Sequence, residues 1–159
     1  MLEKCRNAKE RWGGVSRIID HWLEQRQSLI SAFIRLPEHK LGDELNQKLA
    51  EFCAELIDYM SSGHFEVYEQ LLREGNDFQD GSLEIAQALL PGIQPSTDAG
   101  LDFNDRYNGF EQPTLREIHE FANDLSRLGE HLEERFEIED QLIEHLHTAH
   151  RDLVAGVDA

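Results

Sequence analysis

Apolar residues recur every three or four positions along most of the chain, the period of a helix that buries one face. The first stripe is Val15, Ile18, Ile19, Trp22, Leu23, Leu29, Ile30 and Phe33, which predicts a helix from about residue 3 to 35. Pro37 stops it, because proline lacks the amide donor and its ring crowds the preceding turn. The chain restarts at Gly42-Asp43, with Asp43 as the expected N-cap. A second stripe, Leu45, Leu49, Phe52, Leu56, Met60, Val67 and Leu71, runs to about Gly75. The polar stretch GNDFQDGS follows, and Ser82 is the next expected cap. A third helix is expected from about 82 to 108, kinked or broken by Pro91, Gly92 and Pro95. Beyond NGFEQPT, where Pro113 and Thr114 mark the start only to within a few residues, comes the fourth stripe. It comprises Leu115, Ile118, Ala122, Leu125, Leu128, Leu132, Phe136, Leu142 and Leu146. No segment alternates apolar and polar residues over strand length. The pattern predicts an all-α fold in one domain over 1–159, an antiparallel four-helix bundle with a kinked or broken third helix.

Charge narrows the class. The chain of 159 residues carries 15 Lys and Arg against 32 Asp and Glu, a formal charge of −17. Such acidity disfavours a general DNA or RNA binder, which needs a basic face for phosphates. Eight Phe, three Tyr and two Trp, together with the strong periodicity, oppose intrinsic disorder. Apolar runs are only a few residues long, against the roughly 20 that a spanning helix needs, so no membrane segment is expected. MLEKCRNAKERW lacks the apolar core of a secretory signal. Cys5 and Cys53 form neither a disulfide framework nor a zinc motif, and are expected as free thiols in a reducing cytosol, with Cys53 in the core.

One internal match is informative. His64-Phe65-Glu66-Val67-Tyr68-Glu69-Gln70-Leu71-Leu72 aligns without gaps to Arg135-Phe136-Glu137-Ile138-Glu139-Asp140-Gln141-Leu142-Ile143. The copies fall in the second and fourth helices, as in two hairpins related by pseudo-symmetry. They also bring polar groups onto the apolar seams. A buried ion must find partners or folding suffers by several kcal/mol, so His64, Tyr68, Arg135 and Glu139 are expected to form one internal polar network. Arg135 and Glu139 are i, i+4 neighbours and can pair.

The same segment raises the question of a metal. His64-Phe65-x-x-x-Glu69 looks slightly like the iron-binding helices of hemerythrin-like bundles, which makes a metal- or oxygen-sensing bundle the alternative reading. Those bundles need several histidines, and the second copy offers Arg135, whose fixed charge repels a metal. Glu144-x-x-His147 has ferritin-like spacing without its second copy. Glu144, His145, His147 and His150 are more simply a solvated helix end, with His favoured by the helix dipole. No metal or other cofactor is expected. No phosphate loop, dinucleotide fingerprint, nucleophile elbow or paired zinc motif occurs, and no enzyme is expected.

Phe52-Cys53-Ala54-Glu55-Leu56-Ile57-Asp58-Tyr59-Met60-Ser61-Ser62-Gly63-His64-Phe65-Glu66-Val67-Tyr68-Glu69 closely resembles the signature segment of the Rsd/AlgQ family of bacterial anti-sigma factors. The N-terminal MLEKCRNAKERWGGVSRIIDHWLEQRQ is similar to its AlgQ branch, and Glu134-Arg135-Phe136-x-x-Glu139-Asp140-x-Leu142-Ile143 to its fourth-helix pattern. Residues 76–112 are not matched. The resemblance implies a cytoplasmic protein, tied to stationary phase, that binds the C-terminal DNA-binding domain of the primary sigma factor. It would block that domain from RNA polymerase and the promoter −35 element. In some members the phosphotransfer protein HPr competes, which leaves an adaptor for such regulators as a further reading. A monomer is expected.

The resemblance places the sigma-contacting surface on the first and second helices. Asp58, Ser61, Ser62 and Phe65 share a helical face there, with Asp58 as the carboxylate for a sigma arginine. Ile18, His21, Trp22 and Arg26 would supply an aromatic anchor with polar flanks, residue types common at interface hot spots. Trp22 could equally fill the core. Gly63 is costly in mid-helix, by about 1 kcal/mol against Ala, and the sequence leaves open whether it admits a neighbouring helix or a partner.

Overall fold

In a computed structural model of the chain, residues 8–109, 115–151, 153 and 154 are described, and all regular structure among them is helical. The first apolar stripe forms α1 (Ala8–Arg35), closed by a 3-10 turn over Leu36–Glu38 that contains Pro37. The second stripe forms α2 (Asp43–Ser62), a π-helical turn over Gly63–Val67, and α3 (Tyr68–Phe78) in one continuous run. The third is divided. A 3-10 turn over Leu90–Ile93 separates α4 (Ser82–Leu89) from α5 (Gln94–Tyr107). Pro91 lies in that turn and Pro95 in the first turn of α5, where a missing amide costs nothing. The fourth stripe is α6 (Leu115–Leu146), followed by a 3-10 turn over Thr148–His150. Cys5, Pro113 and Thr114 lie outside the described residues.

Two expected caps are corrected. Gly42, at φ 106°, occupies the N-cap position of α2, and Asp43 is the first helical residue. Gly81, at φ 89°, does the same for α4. Positive φ at both sites favours glycine over the side-chain caps that the sequence offers. Asp80 performs the capping chemistry instead: its Oδ1 accepts from the Ser82 amide at 3.1 Å and the Ser82 hydroxyl at 2.6 Å. His150 Nε2 lies 2.7 Å from the other oxygen. The Ser82 bond above all holds the Asp80 carboxyl down, to about 2. A depressed acid stabilises the fold above its ordinary value of 3.8 and loses that contribution as pH falls toward 2. Asp80→Asn is therefore expected to lower stability modestly at pH 7 and to flatten the acid limb of a Tm-against-pH curve between about 4 and 2. A variant curve parallel to wild type there would count against this role.

The helices meet along seams whose contacts step in opposite chain senses. Trp22 meets Tyr59 and Phe33 meets Phe52 between α1 and α2. Phe52 meets Phe103, and Gly100 lies under Met60, between α2 and α5. Arg106 reaches Asp124, and Arg135 reaches Ser96, between α5 and α6. The core runs from Val15 and Trp22 through Leu49, Phe52 and Leu56 to Leu128 and Leu142. Cys53 is fully buried there, and burial pushes its thiol up to about 11, so it stays protonated and unreactive. No helix among the described residues is long and apolar enough to cross a membrane.

Candidate functional site

The site begins with an extra-wide turn. At Gly63–Val67 the backbone takes π geometry, and the Tyr68 amide donates to the Gly63 carbonyl, five residues back. Such turns interrupt the regular ladder and occur often at functional sites. Gly63 makes this one feasible. A Cβ there would stand 3.1 Å from Tyr68 Cζ and Oη and 3.3 Å from Trp22 Cζ2. The glycine thus admits two neighbouring rings, which answers the question its mid-helix position raised. The wide turn carries Phe65 outward, 81% exposed, while Val67 and Tyr68 turn inward.

Behind the turn lies a buried ionic network. Arg135 and Glu139 are both fully buried, and the Arg135 Nε donates to Glu139 Oε2 at 3.2 Å. Tyr59 donates its hydroxyl to Glu139 Oε1 at 2.5 Å, and Tyr68 donates to Oε2. Arg135 Nη2 donates to the Tyr68 oxygen at 3.1 Å, and Nη1 to Ser96 Oγ at 3.1 Å and Thr97 Oγ1 at 2.8 Å. Arg26 closes the far side, donating to Tyr59 Oη at 3.0 Å and Asp140 Oδ1 at 2.6 Å. Burial raises the Glu139 pKa, against the pull of Arg135 and the two phenols. Burial likewise pushes the phenols of Tyr59 and Tyr68 up, reinforced by the Glu139 charge. For Arg26, burial works against the charge, but Tyr59, Asp140 and Glu139 outweigh it and the pKa is raised.

The structure brings Tyr68, Arg135 and Glu139 together directly. His64 joins at the edge: its Nε2 lies 3.0 Å from Thr97 Oγ1, the atom that accepts from Arg135. Its ring is exposed and meets Tyr68 edge-on at 5.2 Å. Partial burial first, and then the Arg135 charge, lower the His64 pKa. The repeat's equivalent positions therefore converge: Tyr68 bonds Glu139, and His64 and Arg135 share Thr97. The two phenylalanines diverge, since Phe65 is exposed while Phe136 is half-buried beneath the Arg26 guanidinium, 4.8 Å from its ring centre.

The outer face is more mixed. Asp58 and His21 are exposed, and Ile18, Ser61 and Ser62 are half-buried. Ile18, His21 and Ser62 line a cleft of about 260 Å³ between α1 and the π turn, with Glu66 beside them. Trp22, left open between anchor and core, falls in the core, and Arg26 is corrected as a surface residue. Trp22 is 1% exposed, stacked on Tyr59 at 5.0 Å, and donates its indole N–H to the Tyr59 carbonyl at 3.3 Å. It is a core residue that forms the floor of this cleft, not a protruding anchor. Arg26 is half-buried and its guanidinium is spent on Tyr59, Asp140 and Glu139.

A second correction concerns the C-terminal histidines. His147 and His150 are 6% and 1% exposed, not solvated. His147 Nδ1 sits 2.8 Å from Glu74 Oε2 and its ring stacks on Trp12 at 4.3 Å, while His150 stacks on Phe78 at 3.9 Å. Burial raises the Glu74 pKa, opposed by His147. Among the described residues no group of three or more His, Cys, Asp or Glu is placed to hold a metal. Sequence reasoning missed Tyr59, Ser96, Thr97 and Glu66. Only Glu66 left a signal, lying four residues after Ser62 on the same face.

The fold and the site define an all-helical protein whose mixed polar and apolar outer face overlies a buried ionic network. Residues 1–147 match the family described as the regulator of RNA polymerase sigma(70) subunit, Rsd/AlgQ, and the chain belongs to that family of transcription regulators. It is similar to the regulator of sigma D of Salmonella paratyphi A, 38% identical over 151 residues and 90% of each chain. Its similarity to the regulator of sigma D of Yersinia enterocolitica is 32% identity over 149 residues, 91% of this chain and 89% of the relative. The Yersinia pseudotuberculosis protein of that name is also 32% identical, over 91% of this chain and 88% of its own. No solved structure matches the chain.

Proposed function

We propose that this chain regulates the primary sigma factor by binding its C-terminal DNA-binding domain and withholding it from RNA polymerase and the promoter −35 element. The scaffold in this reading is an antiparallel four-helix bundle, bent in its third rod at Leu90–Ile93, acting as a cytoplasmic monomer without catalysis. The contact surface is the outer face of α1, α2 and the π turn: Asp58, Ser61, Ser62 and Phe65, with Ile18 and His21 across the cleft. The observation that carries the reading is Phe65, 81% exposed on a glycine-enabled turn in the same helical rod as the exposed Asp58. A large aromatic ring held out in water on a wide helical turn suits a partner's pocket.

The charge supports the same partner chemistry. A helix-turn-helix domain reads DNA with a basic face, and a chain at −17 attracts that face over a long range, with strong salt dependence. The test is calorimetric titration of the chain with the isolated sigma C-terminal domain at low and high salt. Wild type is expected to bind at both, more weakly at high salt. Asp58→Arg should weaken binding by at least about tenfold, equivalent to about 1.4 kcal/mol, with helicity unchanged. Absence of binding at low salt removes the reading. Equal affinity for the variant removes the site.

A further inference from the structure

We propose that the open seam between α1 and α6 is a second docking surface, built for a single amphipathic helix of a partner protein whose apolar ridge is flanked by Lys or Arg. Close backbone approach joins α1 to α2, α2 to α5 and α5 to α6, but α6 and α1 stand apart and are bridged by side chains. At one end Phe33 lies over Gly129, where a Cβ would come within 2.8 Å of its Cζ. At the other, Arg26 reaches Asp140. Along this seam, from Gly129 past Asp140 to Glu144, lies a groove of about 930 Å³, at the upper end of the roughly 300–1,000 Å³ usual for ligand clefts.

Its floor is apolar, made by Leu29, Leu132 and Phe136, and its α1 wall carries Ile30 and Ile34, the latter 62% exposed. The α6 wall runs from Gly129 to Glu144, about 22 Å at ~1.5 Å per residue, or about four turns. A groove of helical pitch between two helices is filled best by a third, ridges into grooves. The rim selects its charge. Glu133, Glu137 and Glu144 are exposed along α6, and none is paired with a cation among the described residues. A second copy of this chain, at −17, would bring more carboxylates to that rim and is disfavoured. The proposal is independent of the sigma reading, which uses α2, the π turn and the Ile18–His21 stretch of α1 rather than the stretch from Leu29 to Ile34.

The experiment is fluorescence anisotropy of a labelled 18-residue peptide against the full chain. One peptide carries Leu at helical i, i+3, i+4, i+7 spacing with Lys on both flanks, and its control carries Glu in place of Lys. The Lys peptide is expected to bind at least tenfold more tightly. Glu133→Lys with Glu137→Lys should abolish that preference, and Ile34→Arg should weaken the Lys peptide at least tenfold. Asp102→Lys with Asp105→Lys changes net charge equally on α5 and should have under a twofold effect. A benzophenone on the peptide's apolar face should cross-link to Ile30, Ile34 or Gln141. Equal weakening by both double variants, equal binding of the two peptides, or cross-links elsewhere overturns the proposal. So does a wild-type dimer in sedimentation that Ile34→Arg dissociates. Glu133→Gln with Glu137→Gln keeps the test decisive if the lysine pair unfolds the chain.

Discussion

Arg135→Met is expected to destabilise the protein by about 3–5 kcal/mol, the usual result of removing one partner from a buried ion pair. Glu139 would keep its phenols and the distant Arg26 guanidinium at 3.4 Å but lose the cation packed against it. Ser96 and Thr97 would each lose a donor. The double variant Arg135→Met, Glu139→Leu should be less destabilised than Arg135→Met alone, because it removes the stranded carboxylate as well. Guanidinium unfolding followed by helix ellipticity measures both. A single variant that unfolds at the wild-type midpoint would show that the pair contributes little. Coupling near zero in the double-mutant cycle would show that the two charges act separately.

Trp22→Ala carries the second large effect, about 3–5 kcal/mol for deleting a buried Trp side chain. The indole is packed between Tyr59 and the edge of Tyr68, and it bonds the Tyr59 carbonyl. Its removal opens a void beside Gly63. The result separates two roles for one residue. A core Trp22 predicts a strongly lowered Tm, with sigma affinity of the still-folded fraction reduced less than threefold at low temperature. A surface anchor predicts unchanged Tm and lost binding, and that outcome would move Trp22 out of the core.

Much of the fold was legible because apolar spacing reports directly on which face is buried. Four stripes marked the four helical runs, and Pro91 with Pro95 marked the division between α4 and α5. The caps were misread because Asp43 and Ser82 have capping chemistry, whereas the adjacent glycines at positive φ set the backbone. Spacing could not decide Trp22, since Ile18 and Ile19 already continue its stripe and an aromatic at its edge can turn either way. Burial of His147 and His150 was illegible for another reason: their partners Glu74 and Asp80 are some seventy residues away. The network showed itself through the repeat at Tyr68, Arg135 and Glu139. Its outer members, Ser96 and Thr97, are short polar residues in the least patterned stretch of the chain. Whether a hydroxyl faces a guanidinium is settled by packing between helices, which no local pattern records.

The π turn has an implication for how such a chain can change. The rod from Asp43 to Phe78 holds one residue more than its seams require, and the surplus is gathered at Gly63–Val67. Losing one residue there would tighten the turn to ordinary α pitch, leaving Leu56 and Leu71 facing inward as before. A one-residue change in this rod could thereby be absorbed at the spot that carries Phe65, re-aiming that ring without re-threading the interior.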